Sequence, residues 1–163
     1  PIPGLGKTVP VTEAYAAPEK LGQKVVVLGG GMAGTELAIY LKGLGKEPVV
    51  VEMAPRLNFA NNSCHSSAVM EQLGKLSIPT RTGTKVTAVE QGSVKCVSPE
   101  GEVSFPADSV VNALGRTPLQ DAAAAFATCA PVFYPIGDCL AAKNVYEANR
   151  LGYNVAMDIG KIM

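Results

Sequence analysis

Apolar residues in this chain fall into two kinds of run. Unbroken ones at residues 25–28, 49–51 and 108–114 read as strands buried on both faces of a parallel sheet. Between the first two, Ala33, Leu37, Tyr40, Leu41 and Leu44 recur at helical spacing, and Gly43 and Gly45 end that helix. The result is a β-α-β unit of about 30 residues. A second helix, capped by Asn62 or Ser63, carries Val69, Leu73 and Leu76 and ends near Leu76, with a short strand at 79–81 after it. Over 84–105 the pattern changes to strict alternation (Val86 and Ala88, Val94 and Cys96, Val103 and Phe105) across turns at Gln91-Gly92 and Pro99-Glu100-Gly101. Alternation of that kind predicts a three-stranded antiparallel meander. Near the end, 133–136 reads as a short strand broken by Gly137-Asp138. Val145, Ala148, Leu151, Gly152, Val155, Ala156 and Ile159 then mark one face of a final helix. Residues 1–23 are rich in Pro and Gly and read as a lead-in linker, with one helical turn at 11–16 capped by Thr12.

Composition narrows the classes. The 163 residues, 47% of them hydrophobic, suffice for one ordinary core and a small satellite element. Formal net charge is zero and Lys and Arg do not cluster, which argues against nucleic acid and acidic membranes as partners. No apolar stretch approaches the roughly 20 residues of a membrane span, and no signal peptide is expected. The four cysteines (Cys64, Cys96, Cys129 and Cys139) are scattered without C-x-x-C, so a reduced, cytoplasmic setting is expected. Opening on Pro1-Ile2-Pro3-Gly4 without Met suggests a piece of a longer protein.

Candidate chemistry sits where the first strand meets its helix. Gly29, Gly31 and Gly34 fit G-x-G-x-x-G in one frame, with Gly30, Met32 and Ala33 between them. In such a turn the first glycine allows a sharp bend, the second admits a pyrophosphate and the third lets the helix approach the sheet. The helix N-terminus offers N–H groups and partial positive charge to phosphate. Glu52, eighteen residues past Gly34, follows the second strand. A carboxylate there accepts from both ribose hydroxyls and repels a 2′-phosphate, favouring NAD(H) over NADP(H); Arg56, four residues on, softens that preference. No Lys-Ser or Lys-Thr follows the glycines, which excludes a triphosphate P-loop. Glu36 is expected in the first helical turn, where a carboxylate suits the helix dipole. Cys64-His65 has no partner at suitable spacing and reads as a surface feature, and no metal site is expected.

In this order, Ile2-Pro3-Gly4, the stretch 24–36, Val51-Glu52-Met53, Ala113-Leu114-Gly115-Arg116-Thr117-Pro118 and Ile136-Gly137-Asp138-Cys139 resemble flavoproteins with two dinucleotide-binding domains. The likeness is strongest to the C-terminal portion of NADH:flavin oxidoreductases of the old yellow enzyme and 2,4-dienoyl-CoA reductase group. Glu147-Ala148 and Gly152-Tyr153-Asn154 match its tail. The resemblance implies a Rossmann-like α/β NAD(H)-binding domain at 23–112, parallel sheet plus meander, after a 1–22 linker. Residues 113–163 would be the strand-helix tail of an incomplete FAD-type domain.

By the same resemblance, Gly115 lies in the return segment, Gly137 and Asp138 hold the ribityl chain of FAD, and Glu36 stands near the nicotinamide end. FAD binding would require a missing N-terminal half, and FMN and an iron–sulfur cluster would belong to the full-length protein. The implied role is delivery of hydride from NADH to a flavin, with the rest of its own chain as partner and the isolated piece inactive. Alternatives are a non-catalytic dinucleotide-binding regulatory module and a disulfide reductase of the thioredoxin-reductase type, the latter lacking its C-x-x-C.

Overall fold

The computed structural model describes residues 2–57 and 63–161, and the chain divides into two compact units, Pro1–Leu114 and Gly115–Met163. In the first unit, β1 (Val9–Pro10), β2 (Lys24–Leu28), β3 (Glu47–Val51), β4 (Thr80–Arg81) and β8 (Ser109–Asn112) form a parallel sheet ordered β1-β8-β2-β3-β4. Period-two alternation explains the unbroken apolar runs. Val25 and Val27 face one core with Leu37, Ala38 and Leu41 of α2 (Met32–Gly43) and Val69 and Leu73 of α3 (Ser63–Lys75). Val26 and Leu28 face the other, with Val86, Val94 and Cys96 from the meander. That meander, β5 (Lys85–Glu90), β6 (Ser93–Ser98) and β7 (Gly101–Pro106), is antiparallel, as the alternation predicts. It covers the sheet face that the helices leave open.

The segment expected to be a linker is part of this unit. β1 pairs in parallel with β8 at the sheet edge, α1 (Val11–Ala16) follows it, and Ala14 and Leu21 are buried in the helix-side core. Its prolines and glycines hid this: Pro10 closes the two-residue edge strand, a place where the missing N–H costs nothing. Pro10 is also the N-cap of α1, without a side-chain bond, so Thr12 does not cap it. In α2 the inward face is Gly34, Thr35, Leu37, Ala38 and Leu41, while Tyr40 and Leu44 lie exposed. Tyr40 instead stacks on Tyr15 of α1, ring centroids 5.5 Å apart. The cap expected at Asn62 lies outside the described residues; α3 opens at Ser63.

The second unit holds α4 (Gln120–Ala124), a 3₁₀ turn at Gly137–Cys139 and α5 (Val145–Asp158). The strand expected at 133–136 does not form, since that unit offers no strand to pair with among its described residues. Asn144 caps α5 by accepting from Glu147 N–H at 2.9 Å. No described residue of this unit is buried, including the apolar face of α5.

Candidate functional site

The carboxyl ends of β2 and β3 bring the glycine turn and Glu52 together. β2 passes into the turn with Gly29 N–H donating to Val51 O at 2.8 Å. Gly29 has φ +109°, and a Cβ there would overlap the Ala113 carbonyl. A Cβ at Gly34 would overlap the Gly29 carbonyl, so the first turn of α2 sits directly on the loop that precedes it. Thr35, fully buried, tightens that turn by donating its hydroxyl to Gly31 O (2.9 Å) and Met32 O (3.0 Å). Gly31 is the N-cap and has no side chain to bond the first-turn N–H groups. Helical geometry leaves those donors without backbone acceptors, which suits them to an anion.

Glu52 follows β3 directly. Its backbone is fixed on both sides, N–H to Arg81 O at 2.8 Å and carbonyl from Thr84 N–H at 2.9 Å. Its carboxylate reaches back to the glycine turn: Gly30 N–H donates to Oε2 at 2.6 Å and Ala54 N–H to Oε1 at 2.7 Å. Met53 and Arg56 stand exposed in the bend that follows. Met32 and Ala33 open α2 at the surface.

Glu36 is the fifth residue of α2, past the first turn where it was expected, because the helix starts only at Met32. It has a partner that spacing could not reveal. His65, read from sequence as a surface feature, puts Nε2 at 2.8 Å from Glu36 Oε1, joining α3 to α2. Burial, then the Glu36 charge, then Tyr40, push the neighbouring Tyr15 phenol up to about 12. Tyr15 and His65 thus join a cluster around Glu36 that no sequence motif marked.

Gly115, Gly137 and Asp138 belong to the second unit. There Arg116 donates to Asp138 Oδ2 at 3.0 Å, tying together the two resemblance-bearing segments of that unit. Asp138 also lines a shallow cleft of about 140 Å³ with Lys143, Asn144 and Glu147. Among the described residues no group of three or more His, Cys, Asp or Glu side chains is placed to hold a metal ion, and no helix is long and apolar enough to cross a membrane.

A parallel sheet with a glycine turn at one strand end and a carboxylate at the next defines a dinucleotide-binding Rossmann-type unit. The family model for pyridine nucleotide-disulphide oxidoreductases matches residues 1–150, and the chain belongs to that family of oxidoreductases. A bilirubin reductase of Mediterraneibacter gnavus is 39% identical over 95 residues, covering 58% of this chain and 15% of the relative. A cinnamate reductase of Clostridium sporogenes is 28% identical over 97% of this chain and 24% of its own length. Among solved structures, a 2-naphthoyl-CoA reductase complex superposes with a TM-score of 0.82 at 29% identity, over 93% of this chain and 24% of that one. The chain therefore spans about a quarter or less of these relatives.

Proposed function

We propose that this chain is the NAD(H)-binding portion of a flavin-dependent oxidoreductase and presents NADH for hydride transfer to a flavin. The observation that carries the reading is the Glu52 carboxylate, held against a glycine turn that runs into a helix whose N-cap has no side chain. Without Cβ atoms, Gly29 packs against the Ala113 carbonyl and Gly34 against the Gly29 carbonyl, and this tight packing fixes the N-terminus of α2 at the strand end where a diphosphate would lie. Gly31, Met32 and Ala33 would hold the diphosphate and Glu52 the adenosine ribose, with Arg56 beside it; Glu36 would face the nicotinamide end. The nicotinamide supplies the hydride and the flavin accepts it; the protein contributes placement.

On the flavin side the chain would bring Gly115, Gly137 and Asp138. Arg116 steadies the Asp138 carboxylate as an acceptor for ribityl hydroxyls. The remaining FAD contacts, FMN and an iron–sulfur cluster would come from the rest of a longer flavoprotein, which would also cover the exposed apolar face of α5. The finer assignment is to NADH:flavin oxidoreductases of the old yellow enzyme and 2,4-dienoyl-CoA reductase group. The likeness to a bilirubin reductase, a cinnamate reductase and a 2-naphthoyl-CoA reductase supports it.

Isothermal titration tests the cofactor. NADH should bind the 163-residue chain about tenfold more tightly than NADPH, and Glu52→Ala should erode the difference. Equal affinities in the unsubstituted chain would overturn the assignment. Stoichiometric FAD in the purified chain would overturn the division of the flavin site.

A further inference from the structure

The Glu52 carboxylate does more than wait for a ribose. One of its oxygens accepts from Gly30, inside the turn between β2 and α2, and the other from Ala54, in the bend after β3. Both bonds, at 2.6 and 2.7 Å, have the shortness of charge-assisted hydrogen bonds, about twice as strong as neutral ones. The backbones are close enough that a Cβ on Gly30 would stand 2.8 Å from Glu52 Cβ. Gly30 therefore belongs to the site although the motif leaves its position free. Because Arg81 and Thr84 fix the Glu52 backbone, the carboxylate bonds the glycine turn to a rigid support.

From this geometry we propose that Glu52 is the positioning residue of the diphosphate site: it holds the glycine turn in its anion-binding shape whether or not a ribose is present. The proposal rests on the dinucleotide reading above and deepens it. With the Gly30 N–H engaged by Glu52, the diphosphate takes its donors one residue further on, from Gly31, Met32 and Ala33 at the start of α2. Each carboxylate oxygen keeps a second acceptor position, so ribose recognition and turn shaping use one group at once. The carboxylate is also a negative charge beside a dianionic ligand. Electrostatics alone therefore predicts that its removal strengthens diphosphate binding, whereas loss of turn positioning predicts the reverse.

Inorganic pyrophosphate, which has no ribose, reads the sign. On the full 163-residue chain, Glu52→Ala should weaken pyrophosphate binding about tenfold and speed Gly30 amide exchange by a similar factor. Glu52→Gln preserves the side-chain shape and one acceptor oxygen, and should fall between, which keeps the test usable if the alanine variant unfolds. Unchanged or tighter pyrophosphate binding in both variants would overturn the proposal, even if the preference for NADH over NADPH is lost. If NADH fails to bind while Gly30 exchange still depends on Glu52, the turn-positioning role stands and the cofactor assignment falls.

Discussion

His65 and Glu36 join two helices that lie far apart in sequence: the imidazole Nε2 of α3 is 2.8 Å from a carboxylate oxygen of α2. Both side chains are more than a third exposed. A pair so placed contributes less than about 1 kcal/mol to stability. Glu36→Gln should therefore leave the thermal midpoint within about 3 °C. On the proposal that Glu36 faces the nicotinamide end, the same change should slow flavin reduction by NADH in a complete flavoprotein about tenfold. Stopped-flow absorbance measures the rate, and a wild-type rate would remove Glu36 from the reacting end.

Gly34→Ala is the sharpest structural probe, since its Cβ has only the Gly29 carbonyl to move into. Overpacking at a backbone contact should cost about 3 kcal/mol and abolish measurable NADH binding. Denaturant unfolding and titration read the two effects separately. Gly43→Ala in the same helix, where a Cβ meets nothing within 4 Å, is the control and should leave both intact.

Tyr15 gives a pH dependence with a definite sign. Its phenol is raised from 10.0 to about 12, so between those values the folded chain keeps a proton that the unfolded chain has lost. Stability should fall as pH rises through that window. Tyr15→Phe should flatten the slope, as followed by urea midpoints at about pH 9 and about pH 11. An unaltered slope would mean that other groups govern it.

Thiol labelling separates the cysteines by burial. Cys96 lies between the meander and the sheet, and burial pushes its thiol up to about 11. At about pH 8, Cys64 and Cys129, both exposed, should react with a disulfide reagent in minutes, while Cys96 waits for unfolding. Rapid labelling of Cys96 in native protein would contradict the packing of the meander on the sheet.

Removing residues 1–22 tests whether the start of the chain is structural. It would strip β1 from β8 and take Ala14 and Leu21 out of the core, leaving Val111 uncovered. The truncated chain should lose cooperative unfolding by circular dichroism, whereas removal of a mere linker would not change the transition.

Periodicity made the sheet and meander legible because the longer strands bury side chains largely by alternation; β5 departs from it, since a bulge between Val86 and Ala88 turns Val89 to the core in place of the expected Ala88. Val25 and Val27 turn one way and Val26 and Leu28 the other, which is what an unbroken run encodes. The edge strand at Val9–Pro10 was not legible: two residues carry no period, and proline argued against a strand without excluding an edge. Nor was the strand expected at 133–136 refutable from its own residues, because a strand depends on a neighbour. Within the site, Gly29, Gly34 and Glu52 followed from a motif with physical content. The Gly30–Glu52 and Glu36–His65 contacts did not, because they depend on how the turn and helices sit in space. Asn144 and Glu147 did carry a capping-box signal, at the spacing such boxes use.

Every buried apolar side chain among the described residues lies between positions 14 and 111, and none lies in the second unit. The consequence is a chain of uneven persistence. Amide protons of β2, paired on both sides by β3 and β8, should exchange only when the whole first unit opens. Those of α5, with no buried side chain to hold it, should exchange through brief local fraying orders of magnitude sooner. A single melting temperature would average two objects: a unit with a buried core that opens as a whole, and a helix with no buried side chain that opens a few turns at a time.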